Sequence, residues 1–103
     1  MKRELIAKCS EMFNVHPRDL LGPARFGFLI PARFALYKAL RLRGWSFAHI
    51  GRAMNRDHTT VIHGVARAEY IMARDEKYRG KVQELVEFRI APIEQDEIVD
   101  ADV

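Results

Sequence analysis

Apolar positions recur at intervals of three and four along most of this chain, and an alternation of two persists nowhere, so helices are expected throughout and strands nowhere. Leu5, Ile6, Cys9, Met12 and Phe13 form one face of a first helix. Pro17 suits the first turn of a short second helix that Gly22 and Pro23 end. Residues 22–30 (GPARFGFLI) mix turn formers with bulky apolar side chains and read as a loop or loosely extended connector, after which Pro31 opens a third helix at its first position. Phe34, Ala35, Leu36, Ala39, Leu40 and Leu42 give that helix a strong stripe, interleaved with Arg33, Lys38, Arg41 and Arg43, until Gly44 stops it. Ser46 is a good N-cap for a helix reaching about Met54, and Asn55 is the sole turn-type residue before the next. Asp57 is expected to cap that helix, with Val61, Val65, Ala68 and Met72 as its buried stripe. Asp75 caps a last helix from about Glu76 to Phe88 that packs through Val82, Leu85, Val86 and Phe88. The pattern specifies an all-α, compact helical domain.

Composition narrows this picture without changing it. A chain of 103 residues, 49% apolar and 30% charged, suits one folded domain, expected over residues 1–90. Residues 91–103 carry five acids and no Lys or Arg, and read as an acidic, disordered tail. Setting those five acids aside raises the net charge from +3 to +8 for residues 1–90, so the body attracts polyanions. No window is apolar enough to span a membrane and no signal peptide is evident. With one cysteine, Cys9, no internal disulfide can form, which fits a cytoplasmic location.

Function is most legible between Ser46 and Tyr70. Two helices joined by a short turn, the second with a polar cap, read as a helix-turn-helix, in which the start of the second helix meets base edges and the start of the first meets phosphates. On a helical wheel Thr59, His63, Arg67 and Tyr70 lie opposite the apolar stripe. Asp57 can accept from a cytosine amino group, His58 can donate or accept, and Thr59 offers a hydroxyl and a methyl. The amides around Ser46, Phe47 and Ala48, together with Arg52, suit phosphate.

The run RDHTTVIH, Arg56 to His63, preceded by a serine-initiated helix ending in Ile50 and Gly51, resembles the C-terminal DNA-binding domain of the bacterial replication initiator DnaA. The likeness extends from about Leu5 to about Leu85, including the Asp19, Leu20, Leu21 ending and Pro31, Ala35 and Tyr37 at matching spacing. It implies an all-helical, Trp-repressor-like helix-turn-helix domain that reads duplex DNA in the major groove. By that resemblance Asp57, His58 and Thr59 are base readers, Thr60 is a base or phosphate contact, and Ser46, Phe47, Ala48 and Arg67 lie on the phosphate side. Arg25, Arg33, Arg52, Arg56 and His63 complete the expected DNA-binding set. The chain departs from the family at three places. Ala32 stands where an arginine usually follows the proline, with Arg33 at the neighbouring glutamine position. The loop that places a basic side chain in the minor groove is here largely apolar, with Arg25 its only charge. Asn55 alone replaces the paired glycines of the turn.

Other chemistries find little support. His58 and His63 are five residues apart, off the spacing of a zinc-binding helix, so neither metal nor cofactor is expected. No nucleophile elbow, paired carboxylates or GxxxxGKS/T loop is present, and no enzyme activity or ATP-driven initiation is expected of the chain. Trp45 and Phe47 read as packing residues, and the basic residues from Arg33 to Arg43 as a solvated face or, by their excess over acids in that helix, as phosphate contacts. The expected function is sequence-specific binding of double-stranded DNA, as a transcriptional or replication regulator at the nucleoid. The alternative is a protein-interaction module that keeps the fold and uses the apolar loop 22–30 for a partner or a second copy.

Overall fold

A computed structural model describes residues 2–89, and among them the chain is all-helical. Six helices follow in order: α1 (Lys2–Phe13), α2 (Pro17–Leu21), α3 (Leu29–Leu42), α4 (Phe47–Ala53), α5 (His58–Arg74) and α6 (Glu76–Glu87). The expected acidic tail, 91–103, lies outside the described residues.

The helix ends explain why the chain breaks where it does. Three helices finish in the same way, with one residue in the left-handed region: Asn14 after α1, Gly44 after α3 and Asn55 after α4 (φ 55°, 103° and 56°). In each, the amide of the following residue reaches back five residues, Val15 to Ser10, Trp45 to Leu40 and Arg56 to Gly51, at 2.9, 3.1 and 2.7 Å. These are Schellman closures, which satisfy carbonyls that a helix end leaves without partners. Starts are equally local. The His16 imidazole accepts from the Arg18 amide, the Ser46 hydroxyl from His49 and the Asp75 carboxylate from Tyr78.

α3 is the central helix. It buries Leu29, Ala32, Ala35, Leu36, Tyr37, Ala39 and Leu40 and packs against all five other helices. Truncating one of its buried leucines removes contacts on several elements at once and costs about 2–5 kcal/mol. α5 crosses α3 through Val61, Val65 and Ala68, with Gly64 at the point of closest approach. A methyl group at Gly64 would stand 2.7 Å from the Tyr37 ring and 2.8 Å from Phe34, so only a bare backbone fits without moving two aromatic rings.

Three expectations need correction. α3 begins at Leu29, two residues before Pro31, because Leu29 is fully buried and its amide closes a turn onto the Phe26 carbonyl. Proline is tolerated in this first turn, where its missing donor would have no helical acceptor. The second correction concerns the basic residues of α3, which do not form one solvated face. Arg33 is buried, Lys38 pairs with Glu69 of α5 at 2.6 Å, and Arg43 donates to the carbonyls of Leu85, Val86 and Phe88 at the end of α6. The third is Tyr78, absent from the expected contacts of α6. It is buried, and its hydroxyl donates to the Pro31 carbonyl at 2.7 Å, fastening α6 to the start of α3.

Candidate nucleic-acid interface

α4 and α5 form a helix-turn-helix whose tightness rests on Gly51. A Cβ there would lie 2.6 Å from the Arg56 carbonyl and 3.3 Å from the His58 amide, so the turn passes directly over a bare α4 backbone. Asn55, left-handed, provides the reversal. One residue suffices where the Schellman closure already returns the chain.

The first turns of α5 then emerge into solvent. Asp57, His58, Thr59 and Thr60 are all exposed, while Val61, Gly64, Val65 and Ala68 behind them are buried. His63, Arg67 and Tyr70 continue the exposed face. Asp57 holds the N-cap position with extended backbone, yet its side chain makes no cap bond. The expected capping interaction is therefore absent, and the carboxylate stands 3.5 Å from Nδ1 of His58 instead. The Asp57 side chain is thus exposed and not engaged in capping α5.

Ser46 spends its hydroxyl on the α4 cap. Ala48 and Arg52 are exposed, and Phe47 is half-buried beneath the Arg41 guanidinium, 4.5 Å from its ring centroid. Trp45 stacks on His49 with centroids 3.9 Å apart and planes 3° from parallel, a packed pair beside the start of α4.

Two arginines expected at the interface turn inward. Nη2 of Arg33, a residue only 5% exposed, donates to the carbonyls of Asp19 (2.6 Å) and Gly22 (2.9 Å). Arg56 donates from Nη1 to Leu21, Met54 and Asn55 and from Nη2 to Gly22. Both satisfy carbonyls freed at the end of α2 and in the turn, so their hydrogen-bonding capacity serves the scaffold that presents Asp57 to Thr60. Arg25 remains exposed, in the loop before α3.

Sequence reasoning did not single out Ile62, 41% exposed on the same face of α5 as His58 and Ala66, although an apolar residue off the buried stripe was a readable signal. It also missed Arg74, which lies 3.6 Å over the Tyr70 ring with Arg67 at 4.9 Å, extending the basic face along α5.

Residues 3–68 match the family described as bacterial dnaA protein helix-turn-helix. The chain belongs to this family. Among similar proteins are the chromosomal replication initiator proteins DnaA of Cereibacter sphaeroides (37% identical over 82 residues, 78% of this chain and 18% of that protein) and of Ruegeria sp. TM1040 (38% over 86 residues, 82% and 17%). That of Thermomicrobium roseum is 38% identical over 72 residues, 68% of this chain and 16% of its own length. The chain thus spans about a fifth or less of the DnaA proteins it matches. The stretch matched to the DnaA helix-turn-helix runs from α1 into α5 and contains the whole exposed run from Arg56 to Thr60.

Proposed function

We propose that this chain binds double-stranded DNA sequence-specifically, inserting the start of α5 into the major groove and acting as a regulator of transcription or replication at the cytoplasmic nucleoid. The observation that carries the reading is the Asp57 to Thr60 run: four polar side chains, all exposed at the start of a helix whose other face is buried, with a carboxylate not committed to capping. Asp57 accepts from a cytosine amino group, His58 bonds a purine edge, Thr59 pairs its hydroxyl and methyl with a base edge, and Ile62 suits a thymine methyl. Thr60, His63 and Arg67 reach flanking base or phosphate positions, and Arg25, Arg52 and the amides at Phe47 and Ala48 contact phosphate. Ser46, Arg33 and Arg56 act through the scaffold that holds these groups. No catalytic step belongs to this reading, and the initiation activity named in the longer relatives is not assigned to the chain.

A cognate site selected from random duplexes at stated salt supplies the test. His58→Ala and Thr59→Ala are each expected to cost about 1–3 kcal/mol on that site and much less on random DNA. An unchanged cognate-to-random ratio in both variants would overturn the reading.

One observation favours a second role. Phe26 and Phe28 are 62% and 63% exposed and stack on each other with centroids 5.7 Å apart, an apolar projection on the loop before α3. Such a projection suits a protein partner or a second copy of the chain. Sedimentation of the wild type against Phe26→Ser/Phe28→Ser tests it, with loss of self-association or of partner binding as the expected result.

A further inference from the structure

Charge is segregated along this chain. From Leu20 to Arg56 there is no Asp or Glu and there are seven Lys and Arg, whereas Glu94, Asp96, Glu97, Asp100 and Asp102 follow Arg89 with no further Lys or Arg. Within the basic stretch one patch is both charged and apolar. At the junction of α3 and α4, Arg41 is exposed over the Phe47 ring, Leu42 is 50% exposed, and Trp45 lies half-buried against His49. Arg52, also exposed, follows His49 by three positions and shares its side of α4. Arg41 donates to the Trp45 carbonyl, which brings no charge, and neither Arg41 nor Arg52 has a carboxylate partner among the described residues.

The chain leaves α6 beside this patch. Arg43, one residue past Leu42, donates to the carbonyls of Leu85, Val86 and Phe88 at 3.2, 2.8 and 2.9 Å, so the end of α6 is tied to the end of α3. The fourteen residues after Arg89 have an extended reach of about 45 Å. The long axis of the molecule is 38 Å, so the five acids reach the patch easily. Their pattern also suits it: Ile93, Ile98 and Val99 interleave with the acids, as Leu42 and Trp45 do with the arginines.

We propose that residues 91–103 dock on this patch of their own chain, the acids against Arg41 and Arg52 and the apolar side chains against Leu42 and Trp45. The segment then covers the start of α4 and competes with nucleic acid there. That competition rests on the DNA-binding reading above; the contact itself does not. Tethering sets an effective concentration in the millimolar range, so a weak contact suffices. A segment in place about nine-tenths of the time weakens a competing polyanion about tenfold.

Trp45, the sole tryptophan, reports on the patch directly. The full chain is compared with Glu94→Gln/Asp96→Asn/Glu97→Gln/Asp100→Asn/Asp102→Asn by Trp45 fluorescence and backbone amide NMR, without DNA. Neutralising the acids is expected to shift the Trp45 emission and the amides between Arg41 and Arg52 at low salt, to the same extent at every protein concentration. The difference should vanish at about 0.5 M salt, where screening shortens to a few Å, and should shrink in an Arg41→Gln background. On a random duplex at low salt the neutralised chain should bind about tenfold more tightly than the wild type. A local difference at the patch in chains that bind no duplex keeps the contact and removes the DNA-binding reading. A difference that grows with protein concentration places the segment on a second copy and overturns the intramolecular contact. Tighter DNA binding with no local change at the patch reflects net charge alone and also overturns it, as does the absence of any difference.

Discussion

Asp57 and Asp75 stand in equivalent places, each one residue before the first turn of a helix, yet only Asp75 closes its helix: its Oδ1 accepts from the Tyr78 amide at 3.0 Å, whereas the Asp57 side chain makes no cap bond. Their surroundings explain the difference in consequence. The first turn of α6 contains Tyr78, which is buried with its hydroxyl fixed on the Pro31 carbonyl, so that turn is anchored to the core through one side chain while Glu76, Lys77 and Arg79 are exposed. α5 starts on a tight turn over Gly51, with Asp57 and the first three side chains of the helix, His58, Thr59 and Thr60, exposed. An N-cap bond contributes about 1 kcal/mol. The start of α5 does without that contribution and leaves the Asp57 carboxylate outside the capping role. Its position is secured instead by Arg56, which ties the turn to the end of α2 through the Leu21 and Gly22 carbonyls and braces the turn itself through those of Met54 and Asn55. The lesson is that a helix start can be held either by its own cap or by the element before it, and the second arrangement leaves the cap residue for a ligand.

The largest expected effect breaks the support under Asp57. Gly51→Ala places a Cβ against the Arg56 carbonyl, a backbone atom that cannot rotate away, and is expected to cost about 1–3 kcal/mol in urea unfolding. Cognate DNA binding should fall with it, because the displaced segment leads straight into Asp57. Retained stability would mean that the turn is looser than the geometry indicates.

A paired substitution sharpens the comparison directly. Asp75→Ala should lower stability by about 1 kcal/mol, seen as a fall in Tm of about 4–8 °C, and leave the cognate-to-random binding ratio unchanged. Asp57→Ala should do the reverse. Its stability loss is limited to the favourable placement of a carboxylate at a helix N-terminus, about 0.3 kcal/mol, while the cognate site loses about 1–3 kcal/mol. Equal Tm losses in the two variants would show that Asp57 caps α5 in solution.

The smallest effect near neutral pH, and a growing one above it, concerns the core under α6. Burial pushes the Cys9 thiol up to about 12 and raises the Tyr78 phenol above its ordinary value. Both groups are therefore held neutral in the fold and ionise more readily when unfolded. Their contribution to stability is complete below the ordinary thiol value of 9.0 and is lost as pH rises through it towards 12. Thermal melts should be flat from pH 7 to 8 and fall beyond pH 9, and the thiol should react with disulfide reagents only as fast as the protein unfolds. Rapid thiol labelling of the folded chain at pH 8 would contradict this burial.

Much of this protein was determined locally and could be read from the chain alone. The spacing of apolar residues located α1, α3, α5 and α6, Pro17 with Gly22 and Pro23 bounded α2, and Ser46 and Asp75 marked the starts of α4 and α6, because caps, breakers and amphipathic stripes depend on neighbours within one or two turns. The exposed run from Asp57 to Thr60 followed from the same logic, as the polar side of a helix with a buried stripe at Val61, Val65 and Ala68. The two-residue shift in the start of α3 arose because Leu29 finds its burial in tertiary contacts, which turn residues nearby do not reveal. The fate of the arginines was decided by tertiary structure alone. Arg33, Arg43 and Arg56 carry side chains long enough to reach carbonyls 14, 42 and 35 positions away in sequence, and nothing in the spacing of a helix specifies which chain end will lie within that reach. The same long-range packing gathers Arg25, Arg33, Arg56 and Thr60 around one cleft. Helices follow from contacts within a turn; the interface they present follows from where distant chain ends come to need hydrogen-bond donors.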